Sequence, residues 1–216
     1  MYACRRPGLS PSREGHMVSA IVLAAGESRR MGRKKEVLPV QGEPMVRLAV
    51  SKLLDSKKID EVIVVLGHSA DDVGAALAGV TDERIELVGN RRYGEGMGTS
   101  LAQGVSSCSW GTDAFVVVLA DAPFFGTGDV DRLIDAHAAG ALIAVPVREG
   151  RRGHPVILDG RFRDRLEVLD GDVGARHILE AESDSITAVE MESDGFLVDV
   201  DDAEDYEAVK HGIQAG

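Results

Sequence analysis

The chain has 216 residues, 44% hydrophobic, 28% charged and only 4% aromatic, with a formal net charge of −12. That balance suits a globular core of Val, Ile, Leu and Ala, and so acidic a chain excludes a nucleic-acid coat or an anionic membrane surface as its main partner. Its two cysteines, Cys4 and Cys108, lack metal or redox spacing, and no apolar run nears the ~18 residues of a membrane span, so the expected setting is reducing and cytoplasmic.

Residues 1–16 are polar, rich in Pro, Gly and Arg, and without the apolar centre of a secretory signal. They read as a disordered tail or an extension upstream of a start at Met17, leaving residues 17–216 as one domain. Apolar, β-branched runs predict strands at Val18–Leu23, Glu61–Leu66, Ile85–Val88, Ala114–Leu119 and Leu142–Val147. Helix-period segments lie between them at Pro44–Asp55, Ala70–Leu77, Thr99–Ser107 and Asp129–Ala138. Pro44 suits a first helical position, and Val130, Leu133, Ile134 and His137 share one helical face; His137 and His177 read as structural. Residues 148–155 are the most loop-like interior stretch. Beyond them the pattern predicts a short strand at Val156–Leu158, helices at Phe162–Leu169 and Asp172–Glu182, strands at Ile186–Met191 and Phe196–Val200, and a closing helix at Ala203–Gly212. Strands alternating with helices predict an α/β three-layer sandwich around a mostly parallel, Rossmann-like sheet. Ligands of such sheets collect beyond the carboxyl ends of the strands.

The first strand opens into Leu23-Ala24-Ala25-Gly26, followed by Ser28, Gly32 and five cations, Arg29, Arg30, Arg33, Lys34 and Lys35. Small residues let backbone N–H groups approach phosphate oxygens, and Arg and Lys neutralise the remaining charge. In a chain so acidic, a locally positive loop indicates a specific polyphosphate. The string is neither GxxxxGK[ST] nor GxGxxG.

The pattern L-A-A-G-x-S-x-R-M-G-x-x-K, continued by Leu38-Pro39 and Gly42-x-Pro44, resembles the signature of the MobA-like nucleotidyltransferases, and most closely their molybdenum cofactor cytidylyltransferase branch. The similarity extends through Val65-Leu66-Gly67-His68, Asn90, Gly96-Met97-Gly98-Thr99-Ser100-Leu101, Leu119-Ala120-Asp121-Ala122-Pro123, Arg152-Gly153-His154-Pro155-Val156, Gly171–Arg176 and Val198–Asp205. One departure is Asp202-Ala203, where the family usually has Thr-Pro.

The resemblance implies a nucleotidyltransferase fold and the transfer of CMP from CTP, or another nucleoside triphosphate, to the phosphate of a molybdopterin-type acceptor, with release of pyrophosphate. Its product would serve a molybdenum hydroxylase. It implies nucleotide contacts from Leu23, Ala24, Ala25, Gly26, Ser28, Arg30, Gly32, Lys35, Gly67, Asn90, Gly96, Thr99 and Ser100. Arg30 and Lys35 would neutralise the β and γ phosphates, and Ala25 in place of a glycine favours cytosine over a purine. Arg152, Gly153, His154 and Arg176 match the acceptor side. Joining two phosphate anions calls for a cation clamp, and Mg²⁺ is expected on Asp121 with Asp199, or with Asp201 as the alternate. Arg30, Lys35 and Asp121 are then the catalytic residues. The rivals are CMP or GMP transfer to another phosphate, a non-catalytic carrier of a dinucleotide cofactor, and a nicotinamide-dependent reductase, against which the missing GxGxxG weighs.

Overall fold

The computed structural model describes residues 16–27 and 34–211. The elements are β1 (Met17–Ala24), β2 (Pro39–Val40), β3 (Glu43–Pro44), α1 (Met45–Asp55), β4 (Glu61–Leu66), α2 (Ala70–Ala76), β5 (Ile85–Gly89), α3 (Met97–Ser107), β6 (Thr112–Leu119) and α4 (Thr127–Ala138). They continue with β7 (Ile143–Arg148), β8 (Arg151–Arg152), β9 (Val156–Asp159), α5 (Arg163–Glu167), α6 (Arg176–Ala181), β10 (Ile186–Glu190) and α7 (Ala203–Val209). The main sheet runs β10-β7-β9-β6-β1-β4-β5, with β8 added to β7. β1 lies parallel to β4 and β6, β4 to β5, and β7 to β10. Within this sheet β9 and the short β8 run against their neighbours. This is the mostly parallel α/β sheet expected from the alternation of strands and helices.

The central strands bury both faces, and their side chains divide by parity. Val18, Ala20 and Val22 of β1 pack with Val46, Ala49 and Leu53 of α1 and Val130, Leu133 and Ile134 of α4. Ile21 faces the other way, onto Leu101 and Val105 of α3, Phe115 and Val117 of β6, and Leu166 of α5. Two helical layers thus clamp the sheet. The carboxyl ends of β1, β4 and β6 align because their registers run in step from Ser19, Glu61 and Phe115.

Four sequence-based expectations change. Pro44 caps α1 and pairs in β3 rather than opening the helix, because Gln41 and Gly42, at φ 54° and 89°, close a tight hairpin just before it. Residues 148–155 are not all loop: Glu149 and Gly150, at φ 52° and 77°, turn β7 back into β8. The expected helix Asp172–Glu182 splits, because Gly171 and Gly174 adopt φ 63° and 50°, outside the helical region; a 3₁₀ turn at Gly171–Val173 precedes α6. Phe196–Val200 forms a 3₁₀ turn and an extended segment, not a strand. Its apolar residues plug two separate clusters, Phe196 beneath the sheet and Val200 beside Val40, Met45 and Val209.

At the amino end of the sheet, His16 ends the expected tail, whose residues 1–15 lie outside the described residues. Its ring stacks on His137, 5.0 Å between centroids, and His137 Nε2 stands 3.0 Å from Asp159 Oδ2. Burial holds the His137 imidazole below its ordinary value, and the Asp159 carboxylate offsets this only in part. A folded-state value below the unfolded one means that stability is fully present above the unfolded value of about 6.5 and declines as pH falls through the folded one. His137→Gln should therefore make the pH dependence of Tm shallower below about pH 6.5, read by scanning calorimetry in a pH series. An unchanged slope would contradict this account.

Candidate active site

One cleft of about 590 Å³ opens where β1 and β6 end, within the usual range of ~300–1,000 Å³ for small-ligand sites. It is lined by Leu23, Ala25, Gly26 and Glu27 after β1, by Lys35 and Glu36, by Tyr93 to Met97 and Ser100, and by Leu119, Asp121, Asp172, Asp199 and Asp201. β1 and β6 hold each other at this end through the Ala120 N–H, which donates to the Leu23 carbonyl at 3.1 Å. Asp121, the second residue beyond β6, is thereby fixed beside the loop that follows β1.

Lys35 opens a 3₁₀ turn, Lys35–Val37, that brings its ammonium among oxygens. Nζ lies 2.5 Å from Asp121 Oδ2 and 3.1 Å from Asp201 Oδ1, and it donates to the Val200 carbonyl at 3.1 Å. The Lys35 side chain is only 13% exposed. Burial alone would lower its pKa, but the Asp121 and Asp201 carboxylates raise it above the ordinary lysine value, so it is a fixed cation. Lys34 turns the other way and pairs with Asp72 at the surface.

The acidic wall is laced to the sheet by backbone. The Val200 N–H donates to the Asp121 carbonyl at 3.0 Å and the His154 N–H to the Phe196 carbonyl at 2.9 Å. Two glycines allow these segments to touch: a Cβ on Gly153 would lie 2.0 Å from the Phe196 oxygen, and one on Gly195 would lie 2.2 Å from the Phe124 oxygen. Burial, then Asp201 and Asp121, holds the Asp199 carboxyl above the usual range. Burial also lowers the His154 imidazole despite the pull of Asp121 and Asp199, and its Nδ1 is sealed from solvent without a partner among the described residues.

The cleft gathers Leu23, Ala25, Gly26, Lys35, Gly96, Ser100, Asp121, Asp199 and Asp201 from the expected site residues. Ser28, Arg30 and Gly32, with Arg29 and Arg33, lie outside the described residues. Ala24 is in the core. Gly67 serves close packing, since a Cβ there would fall 2.5 Å from the Ala25 carbonyl oxygen. Asn90 and Thr99 form an internal knot: Asn90 Nδ2 donates to Thr99 Oγ1 and Ser100 Oγ at 2.9 and 3.0 Å, and its Oδ1 accepts from the Arg92 N–H at 2.9 Å. That knot holds the turn that presents Tyr93 to Met97. Of the expected acceptor residues, Arg152 and Arg176 are exposed and, with Gly153 and His154, lie outside the cleft lining. The sequence reading gave no site role to Glu27, Glu36, Tyr93, Gly94, Glu95, Met97, Leu119 and Asp172, although Glu27, Met97, Leu119 and Asp172 lie within the quoted motifs and Glu36 and Glu95 directly beside them.

Among the described residues, no three His, Cys, Asp or Glu side chains converge closely enough to cage a metal ion. The donor set nevertheless fits a hard divalent cation of the Mg²⁺ type, which takes one or two carboxylates and completes its shell with phosphate oxygens and water. Asp121 and Asp199, both in the cleft lining, could supply the carboxylates.

The MobA-like NTP transferase domain profile matches residues 20–186. The purine catabolism protein PucB of Bacillus subtilis is 32% identical over 199 residues, covering 89% of this chain and 96% of PucB. Nicotine blue oxidoreductase of Paenarthrobacter nicotinovorans is 30% identical over 195 residues, covering 87% and 93%. A nucleotidyl transferase from Methanothermobacter thermautotroptrophicus superposes with a TM-score of 0.76 at 27% identity, covering 91% of this chain and 97% of that one. A family profile over most of the chain, with relatives aligned along nearly their full length, establishes that this protein belongs to the MobA-like NTP transferase family and is a nucleotidyltransferase.

Proposed function

We propose that the protein transfers CMP from CTP to the phosphate of a molybdopterin-type acceptor, with Mg²⁺ as the divalent cofactor. The observation that carries the reading is Lys35 fixed against Asp121 and Asp201 at the open end of the Leu-Ala-Ala-Gly loop. An acceptor phosphate oxygen attacks the α-phosphorus of CTP, the bond from that phosphorus to the β-phosphate bridge breaks, and pyrophosphate leaves. The nucleophile is already ionised, so the reaction needs positioning and charge neutralisation rather than a general base. Lys35 holds a cation beside the leaving pyrophosphate, with Arg30 assigned to the same task from its place in the motif. Asp121 and Asp199 would hold the metal ion, which supplies neutralisation of phosphate charge when bound. The Ala25 methyl, in the cleft wall, narrows the space beside the base and favours a pyrimidine. Arg152, Gly153, His154 and Arg176 are assigned to the acceptor. A relative named for purine catabolism is in keeping with a product that serves a purine-oxidising molybdenum hydroxylase.

The test is a screen of CTP, GTP, ATP and UTP for pyrophosphate release, each with and without molybdopterin. Release with CTP only when molybdopterin is present is the expected result; release with another phosphorylated acceptor and not with molybdopterin would overturn the acceptor. The relative named as an oxidoreductase favours a second reading, a nicotinamide-dependent reductase. Oxidation of NADH or NADPH by the purified protein would support that reading, which the lack of GxGxxG after β1 disfavours.

A further inference from the structure

Three oxygens converge on the Lys35 ammonium: Asp121 Oδ2 at 2.5 Å, Asp201 Oδ1 at 3.1 Å and the Val200 carbonyl at 3.1 Å. Two of these are carboxylates of the kind that a hard divalent ion takes as ligands, so the ammonium and the ion call on the same donor. We infer that Lys35 and the divalent cation compete for Asp121, and that the nucleotide's triphosphate resolves the competition by drawing Lys35 onto its own oxygens. The inference rests on the proposed metal and phosphate roles of Asp121 and Lys35 and adds a regulatory coupling between them. Lysine suits such an exchange because its charge sits on a flexible four-carbon stem with donors that rotate freely. Close packing of the ammonium also keeps Asp121 and Asp201 from repelling each other, so the acidic wall stays shaped for its ligand. Metal and nucleotide then bind cooperatively, and linkage requires each to strengthen the other by the same factor.

The experiment measures Mn²⁺ binding to the full chain, without nucleotide, by calorimetry and by the electron paramagnetic resonance of free Mn²⁺. K35Q should bind Mn²⁺ about tenfold more tightly than the unmodified protein or better, because a cation in direct contact with the ligand has been removed. K35R, which keeps the competing charge, should bind as weakly as the unmodified protein. K34Q removes the same charge from a pair outside the cleft and should change Mn²⁺ binding by less than about twofold. A readout on the unmodified protein needs no variant: Mn²⁺ alone should expose Lys35 to an amine-acylating reagent, read by mass spectrometry. Unchanged Lys35 labelling, K35Q binding no tighter than the unmodified protein, or an equal gain in K34Q would overturn the competition while leaving the transferase reading intact. Unaltered Mn²⁺ binding by D121N would overturn both the competition and the metal role of Asp121.

Discussion

Asp121→Ala is expected to reduce pyrophosphate release by about 10³-fold or more while the protein stays folded, since removing a group that holds the charge clamp of phosphoryl chemistry costs that order of rate. The two halves of this prediction rest on different atoms of one residue. The fold uses the backbone: the Asp121 carbonyl accepts from the Val200 N–H, and the neighbouring Ala120 N–H binds the Leu23 carbonyl. The proposed chemistry uses the side chain, whose carboxylate stands in the cleft against Lys35. Truncation to Ala leaves every backbone bond in place, and Lys35 retains Asp201 and the Val200 carbonyl as partners. Continuous pyrophosphate detection with CTP and molybdopterin, alongside circular dichroism and Tm, separates the two. A near-normal rate would remove Asp121 from the catalytic set, and loss of the folded spectrum would mean that the carboxylate itself holds the loops together.

The architecture was legible because its signal is periodic. The continuous apolar runs at Glu61–Leu66 and Ala114–Leu119 can be buried on both faces only in a parallel sheet with helices on either side, and the helical face Val130, Leu133, Ile134 and His137 is buried as expected. The Asp121 and Lys35 positions were legible for another reason, since each is fixed by the end of a strand or by a motif of set spacing. What escaped was set by long-range contact. Asn90 and Thr99 stood among the expected nucleotide contacts, yet their hydrogen bonds close on each other and on nearby backbone, and no local pattern distinguishes a polar side chain that binds a ligand from one that ties a turn. The apolar run at Phe196–Val200 has a strand's composition, but the sheet edge beside β7 is filled by β10. Its residues serve as separate plugs instead. Two-residue turns at Gln41-Gly42 and Glu149-Gly150 were missed because Gln and Glu are unusual where positive φ is required.

Gly153 shows what those long-range contacts demand, and Gly153→Ala is expected to cost both stability and activity. The loop before β9, the Gly195–Leu197 turn and the loop after β6 stack backbone on backbone, and each layer closes on a glycine. A methyl at position 153 would meet the Phe196 carbonyl oxygen at 2.0 Å and the Phe196 ring at 2.7 Å. Phe196 cannot give way, because it is 2% exposed and packed in the main core cluster. Forced overpacking of this kind costs about 1–3 kcal/mol, a fall in Tm of roughly 2–12 °C for a domain of this size. The displacement propagates three residues along the chain to Asp199, so turnover should fall by about 10²-fold even below the new Tm, because misplacement near 1 Å is enough to do so. Gly74→Ala is the matched control: it sits in α2 with no atom within 4 Å of the added Cβ, and there the substitution should raise stability by about 0.5–1 kcal/mol and leave activity unchanged. Scanning calorimetry and initial rates on the two variants decide the matter. Equal stability of the two proteins would mean that the three loops do not touch, and with that contact would go the explanation of how Asp199 is held at the cleft that Asp121 also lines.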